Sequence, residues 1–309
     1  MDSIFDCFPN ISPTATQKQA LFQLSMFPQS EKRIFILKGY AGTGKTTLLE
    51  GLIQFYKKRK IPVVCMAPTG RAARILAHKT KAEAGTIHTT IYKRKPIDFS
   101  KDDLNIEFFI NPDTPEDGTI GIIDEASMVS DFEQKNAEEG LKFGTGKLLS
   151  DVFSFFGMSE NKKSKLIFIG DGAQLAPVGH PVSVALQKDY IQKTFDLPVM
   201  ETELTEVMRH DNLILSAATH VRNKITKGIF DSYHPPTGPE VMQVDHRNLV
   251  SYYLRQFRDV HASRNGILIA NSNKKALEYN KLVRYKFFPD HHDMVQSGDR
   301  LIVSANNYL

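Results

Sequence analysis

The segment Gly39-Tyr40-Ala41-Gly42-Thr43-Gly44-Lys45-Thr46 fits the pattern G-x-x-x-x-G-K-[ST] without a break. An apolar run comes before it, and the helical run Leu48-Leu49-Glu50-Gly51-Leu52-Ile53 follows. Glycines at these points let the backbone curl until successive N–H groups face phosphate oxygens, and the helix behind them presents its positive end. This is the chemistry of an ATP cradle. Gly39, Gly42, Thr43, Gly44, Thr46 and Thr47 would line it, Lys45 would reach the β and γ phosphates, and the Thr46 hydroxyl would hold Mg²⁺.

A second chemical pair stands at Ile122-Ile123-Asp124-Glu125, where an apolar strand delivers two adjacent acids. Asp124 can hold Mg²⁺ through its water shell, while Glu125 can polarise an attacking water as general base. A dedicated water-activating glutamate favours hydrolysis over transfer to an acceptor. A P-loop phosphotransferase stays open as the alternative enzyme class, and an ATP- or DNA-binding fragment without turnover as the non-catalytic one. By contrast, Gly144-Thr145-Gly146-Lys147 lacks both a strong strand before it and a Ser or Thr after the lysine, and is read as a surface turn.

Elements must position these groups. Short aliphatic and β-branched runs recur at 33–38, 62–67, 120–124, 165–170 and 266–271, with helical or loop segments between. That alternation predicts an α/β fold, a parallel sheet flanked by helices. The turns after three of these runs, at Gly39, Asp124 and Gly170, would share the carboxyl edge of the sheet, where ligands bind in open α/β folds. Residues 93–118 break the rhythm with three prolines and one apolar patch, Ile106-Glu107-Phe108-Phe109-Ile110. They are expected to form an inserted hairpin or subdomain. Phe108 and Phe109 could be its miniature core or a strand-separating element. Residues 131–165 are expected to be a helical crossover ending in the solvated charged loop 160–165, and a second lobe is expected to begin near Glu203.

Bulk properties narrow the class. The chain of 309 residues, 41% hydrophobic and 24% charged, can bury a large core. A net charge of +4, from 39 basic and 35 acidic residues, leans toward an anionic partner without identifying one. Two cysteines, Cys7 and Cys65, suit a reducing, cytoplasmic setting better than a disulfide framework or metal cluster. No apolar run approaches the roughly 18 residues that span a bilayer, and no leader pattern opens the chain, so no membrane partner is expected.

Further motifs extend the pattern: Ala67-Pro68-Thr69-Gly70-Arg71-Ala72-Ala73, Thr86-Ile87-His88-Thr89, Asp124-Glu125-Ala126-Ser127-Met128, Gly170-Asp171-Gly172-Ala173-Gln174-Leu175-Ala176-Pro177-Val178-Gly179 and Leu204-Thr205-Glu206-Val207-Met208-Arg209. With the phosphate loop, this ordered series resembles that of superfamily 1 DNA helicases, and most closely their RecD-like and Dda-like 5′→3′ branch. The resemblance covers nearly the whole chain. It implies two RecA-like lobes, over 1–202 and 203–309, with ATP between them and single-stranded DNA, or a junction of single and double strands, across the top of a monomer.

Residue by residue, the resemblance makes Gln17 the adenine-reading glutamine, with Gln19 as fallback. It makes Gln174 the γ-phosphate contact that couples ATP state to DNA grip, and Arg209 the second-lobe arginine that stabilises transition-state charge. Pro68, Thr69, Arg71, Thr86 and His88 would line the DNA track, joined by Asn271 from the second lobe. The His88 ring could stack on a base or instead cap a turn. The family continues into an SH3-like insertion and later motifs that do not follow here, which leads to the expectation of a C-terminally truncated chain.

Overall fold

The computed structural model describes residues 3–9, 11–96, 106–133, 141–160, 163–177, 182–207, 212–290 and 294–299. The chain divides into two compact units, Met1–His210 and Asp211–Leu309.

In the first unit the apolar runs form strands β1 (Ile34–Gly39), β2 (Val63–Ala67), β6 (Ile120–Ile123) and β8 (Lys165–Gly170), at the positions their composition predicts. Two more strands complete the sheet, β3 (Ala84–Thr86) and β9 (Val199–Leu204), giving the order β3-β2-β6-β8-β1-β9. Every pairing is parallel. Consecutive strands are therefore joined by crossovers, and helices cover both faces.

Side chains alternate across the strands and sort themselves between those faces. Phe35 and Leu37 of β1 join Ile122, Ile167 and Ile169 in a core with helices α1 (Ala15–Met26) and α2 (Lys45–Lys58), which contribute Leu21, Leu24, Leu48, Leu52 and Phe55. Tyr56 of α2 is fully buried, and its hydroxyl donates to the Leu24 carbonyl at 2.8 Å. Each such side chain contributes roughly 1.5–3 kcal/mol by leaving water. On the other face Phe168 meets Phe153 of α5 (Leu148–Phe155), which in turn meets Phe195 of α6 (Lys188–Phe195) edge to face. Helix α3 (Gly70–Thr80) links β2 to β3, and the short α4 (Ile87–Ile91) follows β3 directly.

The expected insertion is a hairpin. Strands β4 (Tyr92–Arg94) and β5 (Ile106–Ile110) pair antiparallel, with buried Phe108 as the core of this small sheet and Phe109 half-buried. Residues 97–105, between them, lie outside the described set. The helical crossover expected over 131–165 also carries a strand: Leu141–Phe143 form β7, parallel to β5, and Phe143 stacks on Phe108 with ring centroids 4.5 Å apart. An aromatic partner on β5 overrides local propensity here. The charged loop also differs at its end, because Lys165 is buried at the start of β8 and donates to the carbonyls of Ser30 and Lys32.

The second unit holds α7 (Leu213–Thr226), α8 (Leu249–Gln256) and α9 (Asn273–Phe287), none with a buried residue among those described. The strand expected over 266–271 is not formed. Ile267 and Ile269 are 77% and 83% exposed, and no ladder partner stands beside them among the described residues. An apolar run supplies only the disposition to pair; a strand also needs a neighbour.

Candidate active site

Because all pairings in the six-stranded sheet are parallel, every strand ends along one edge. Read across the sheet, that edge carries Thr86 and His88 after β3, Pro68 to Arg71 after β2, Asp124 and Glu125 after β6, Gln174 after β8, the phosphate loop after β1, and Glu206 after β9. Expected nucleotide and DNA residues thus occupy adjoining stretches of one surface.

The loop from Tyr40 to Gly44 turns through two left-handed glycines, Gly42 (φ 86°) and Gly44 (φ 81°). A Cβ on Gly44 would sit 2.7 Å from Gln17 Nε2, so glycine is required both by conformation and by space. Gly44 caps α2 without any side-chain bond, which leaves the first-turn N–H groups of Lys45, Thr46 and Thr47 facing the loop. Thr43 is buried, and its N–H and hydroxyl both bond to the Tyr40 carbonyl, at 3.2 and 2.9 Å. The Lys45 ammonium lies back on the loop, donating to the carbonyls of Gly39 (2.7 Å) and Tyr40 (3.0 Å).

Gln17 is buried, and both ends of its amide are engaged by the protein. Its Nε2 donates to the Thr43 carbonyl at 2.9 Å, and its Oε1 accepts from the Thr14 N–H at 3.0 Å. It braces the phosphate loop against the first turn of α1. The signal was present in sequence, since Thr14-Ala15-Thr16-Gln17 is a capping box. Glu206 was legible only as part of a motif, yet its carboxylate receives Thr16 of the same turn.

Asp124 and Glu125 follow β6 directly. Burial, and then the neighbouring Glu125 charge, push the Asp124 carboxyl up to about 6, against the opposing pull of the Glu125 N–H, Lys45 and Lys79. The Glu125 N–H donates to Asp124 Oδ1 at 3.0 Å, and Glu125 itself holds a left-handed backbone (φ 54°). Such a conformation costs a non-glycine residue ~1–2 kcal/mol and is typical of functional sites. The half-buried Asp124 and Glu125, within electrostatic reach of Lys45, supply with the Thr46 hydroxyl of α2 the oxygen donors that a hard divalent cation takes. The uncapped turn of α2 and the glycine loop suit a polyphosphate. The residues present therefore fit both a nucleotide and Mg²⁺.

Gln174 is exposed, in a turn after β8 where its N–H bonds to the Asp171 carbonyl at 3.1 Å and Ala173 N–H to Asp171 Oδ1 at 3.0 Å. Arg209, with Val178 and Gly179, lies outside the described residues. Thr69 and Thr86 cap α3 and α4, accepting from the N–H groups of Ala72 (3.2 Å) and Thr89 (3.1 Å), while Pro68 is half-buried and Arg71 is exposed. The half-buried His88 ring packs on Tyr92 and Phe143, at 5.6 and 5.1 Å between centroids, and burial lowers its pKa against the pull of Asp151. Asn271, exposed before α9, belongs to the second unit. The Gly144–Lys147 turn is folded around the buried Asp151 carboxylate, which receives the Thr145 hydroxyl at 2.7 Å.

The chain is also similar to known proteins. The AAA domain family matches residues 13–139. Over 295 residues the chain is 27% identical to the ATP-dependent DNA helicase dda of Enterobacteria phage T4, covering 91% of this chain and 59% of that protein. Over 191 residues it is 32% identical to an uncharacterised protein of Methanocaldococcus jannaschii, covering 59% of this chain and 14% of that one. The chain thus spans less than two thirds of these curated relatives. Among solved structures, Bacteroides sp Pif1 in complex with ADP-AlF4 gives a TM-score of 0.47 at 17% identity, over 88% of this chain and 56% of that one. Pif1 helicase from Candida albicans gives 0.44 at 18%, over 84% and 56%. The α/β assignment rests on the chain's own sheet order. The resemblance to superfamily 1 helicases, read from motifs, extends along the chain as overall similarity to a Dda-like member.

Proposed function

We propose that this chain, a relative of the superfamily 1 helicases, is the ATP-hydrolysing front portion of a DNA helicase that moves 5′→3′ on single-stranded DNA. The observation that carries the reading is the shared sheet edge, which sets the phosphate loop, the Asp124–Glu125 pair and Gln174 beside Pro68, Thr69, Arg71, Thr86 and His88. One surface can then sense nucleotide at one end and grip a strand at the other.

In this reading the N–H groups at the start of α2 and the Lys45 ammonium hold the phosphates, after the ammonium leaves the carbonyls of Gly39 and Tyr40. Thr46 and Asp124 would hold Mg²⁺, which would supply neutralisation of phosphate charge. Glu125 orients and polarises the attacking water, and its strained backbone fixes the carboxylate at the strand end. Gln174, in the turn after β8, the strand between those that carry the loop and the acids, contacts the γ-phosphate and relays its loss. Arg209, which ends the Leu204–Arg209 motif, is assigned to the same phosphate, and Asn271 of the second unit is assigned as a DNA contact. Phosphate contacts along the track make DNA binding weaken as salt rises.

Steady-state ATP hydrolysis with and without oligo-dT at low salt, beside Lys45→Ala, tests this. DNA-stimulated hydrolysis abolished by the substitution supports a coupled motor. Turnover that needs a small-molecule acceptor would instead establish a phosphotransferase, and ATP binding without any turnover a regulatory module.

A further inference from the structure

Beside His88 the first unit holds a cavity of about 260 Å³ lined by four rings, His88, Tyr92, Phe132 and Phe143, with Ser130 and Leu148 among the residues between them. None of the motifs discussed above accounts for it beyond His88. Its back is fixed by a second layer. Phe143 is stacked on buried Phe108, and the Tyr92 hydroxyl donates to the buried Asp151 carboxylate at 2.6 Å. That carboxylate also receives the Thr145 hydroxyl, and the turn holding Thr145 can approach it because Gly144 has no Cβ; one there would lie 2.2 Å from Asp151 Oδ2. The box is therefore set before any ligand arrives.

The mouth differs from the back. Phe132 is 43% exposed, and Lys142 and Glu133 stand exposed beside it. A ring-walled slot takes a flat aromatic guest, a lysine at its mouth takes an attached anion, and a carboxylate there offers an acceptor to an exocyclic amine. A nucleotide unit of a single strand combines these features. One wall, His88, belongs to α4, which follows β3 on the same sheet edge as Pro68, Thr69 and Arg71.

We infer that this cavity is a subsite for one unstacked nucleobase of the single strand, stacked against Phe132 and His88 with its phosphate at Lys142. The inference rests on the reading of the chain as a single-strand motor. It adds to that reading a site that grips a base, where the other contacts of the track suit the backbone. Held there, one base would give the strand a fixed register between steps.

The test compares a cytosine oligonucleotide with an abasic one of equal length, binding to the full chain by fluorescence anisotropy at low salt. Stacking on one ring is worth a loss of roughly 5- to 100-fold on alanine substitution. Phe132→Ala should lose affinity of that order for the base-bearing strand, change abasic binding by less than about twofold, and be restored by Phe132→Trp. A strand carrying one 2-aminopurine gives a readout that needs no variant: the wild-type chain should quench it at one position along the strand. Equal losses on both strands, or no position-dependent quenching, would overturn the subsite while leaving the motor reading in place. No binding of either strand by the wild-type chain would overturn both.

Discussion

Glu206 accepts two hydrogen bonds from Thr16, one from its N–H at 2.9 Å and one from its hydroxyl at 2.7 Å. The contact ties the segment after β9 to the first turn of α1, and the next residue of that turn, Gln17, holds the phosphate loop through the Thr43 carbonyl. Hydroxyl and backbone donors, Thr14 first and then Thr16, hold the Glu206 carboxyl down to about 2. The segment leaving the first unit and the loop that takes phosphate are thus two contacts apart.

If that connection carries information, Glu206→Gln should raise the KM for ATP by roughly two- to fivefold, the scale of removing one charge from a helix N-terminus, with kcat little changed. Steady-state kinetics at saturating DNA measures both. An unchanged KM would reduce the contact to a tether.

Asp124 should trade stability for function. Its pKa rises from 3.8 to about 6 in the folded chain, so between those values the unfolded chain releases a proton that the native one keeps. Stability therefore falls as pH rises through this window, and the whole penalty, up to ~3 kcal/mol, applies above pH 6. Asp124→Asn keeps an acceptor for the Glu125 N–H and removes the charge. Urea unfolding in a chelator should show the variant more stable at pH 7.5 and the advantage shrinking toward pH 4, while hydrolysis is lost.

Gly44→Ala should cost ~1–2 kcal/mol from its left-handed backbone alone. It should also lose nucleotide affinity, because the new methyl meets Gln17 Nε2 at 2.7 Å. Adding Gln17→Ala removes the clash, so the pair should be less damaging than the sum of the two single changes. Thermal unfolding and nucleotide titration of the three variants would show it; strict additivity would mean the contact is relieved some other way.

Thiol labelling gives an independent check on the core. Cys65 is 4% exposed, and burial pushes its thiol up to about 12. At pH 8 an aromatic disulfide reagent should modify the partly exposed Cys7 and leave Cys65 untouched until denaturant is added. Rapid labelling of both in the native chain would contradict the packing of β2.

Strands β1, β2, β6 and β8 were legible because each is buried on both faces and reads as an unbroken apolar run. β3, with the sequence Ala84-Gly85-Thr86, has no such run, and β7 exists because Phe143 finds Phe108 across the small sheet. Residues 266–271 show the converse, an apolar run whose Ile267 and Ile269 stay exposed. Pattern reports what a segment can bury; the partner that covers it comes from elsewhere in the chain.

The chemistry was likewise divided. The sequence alone determined the phosphate loop, the acid pair and the cap at Thr14, because each is a local arrangement whose residues are neighbours in the chain and whose geometry follows from backbone rules. Which groups share a surface was decided only by the tertiary structure. The sheet order places β8 between β6 and β1 and so sets Gln174 between the acids and the loop. It brings Glu206 to Thr16 across 190 residues, and it walls His88 with rings from β4 and β7. These contacts depend on strand pairing and helix packing, which are collective choices of the folded chain and leave no fixed spacing in its sequence.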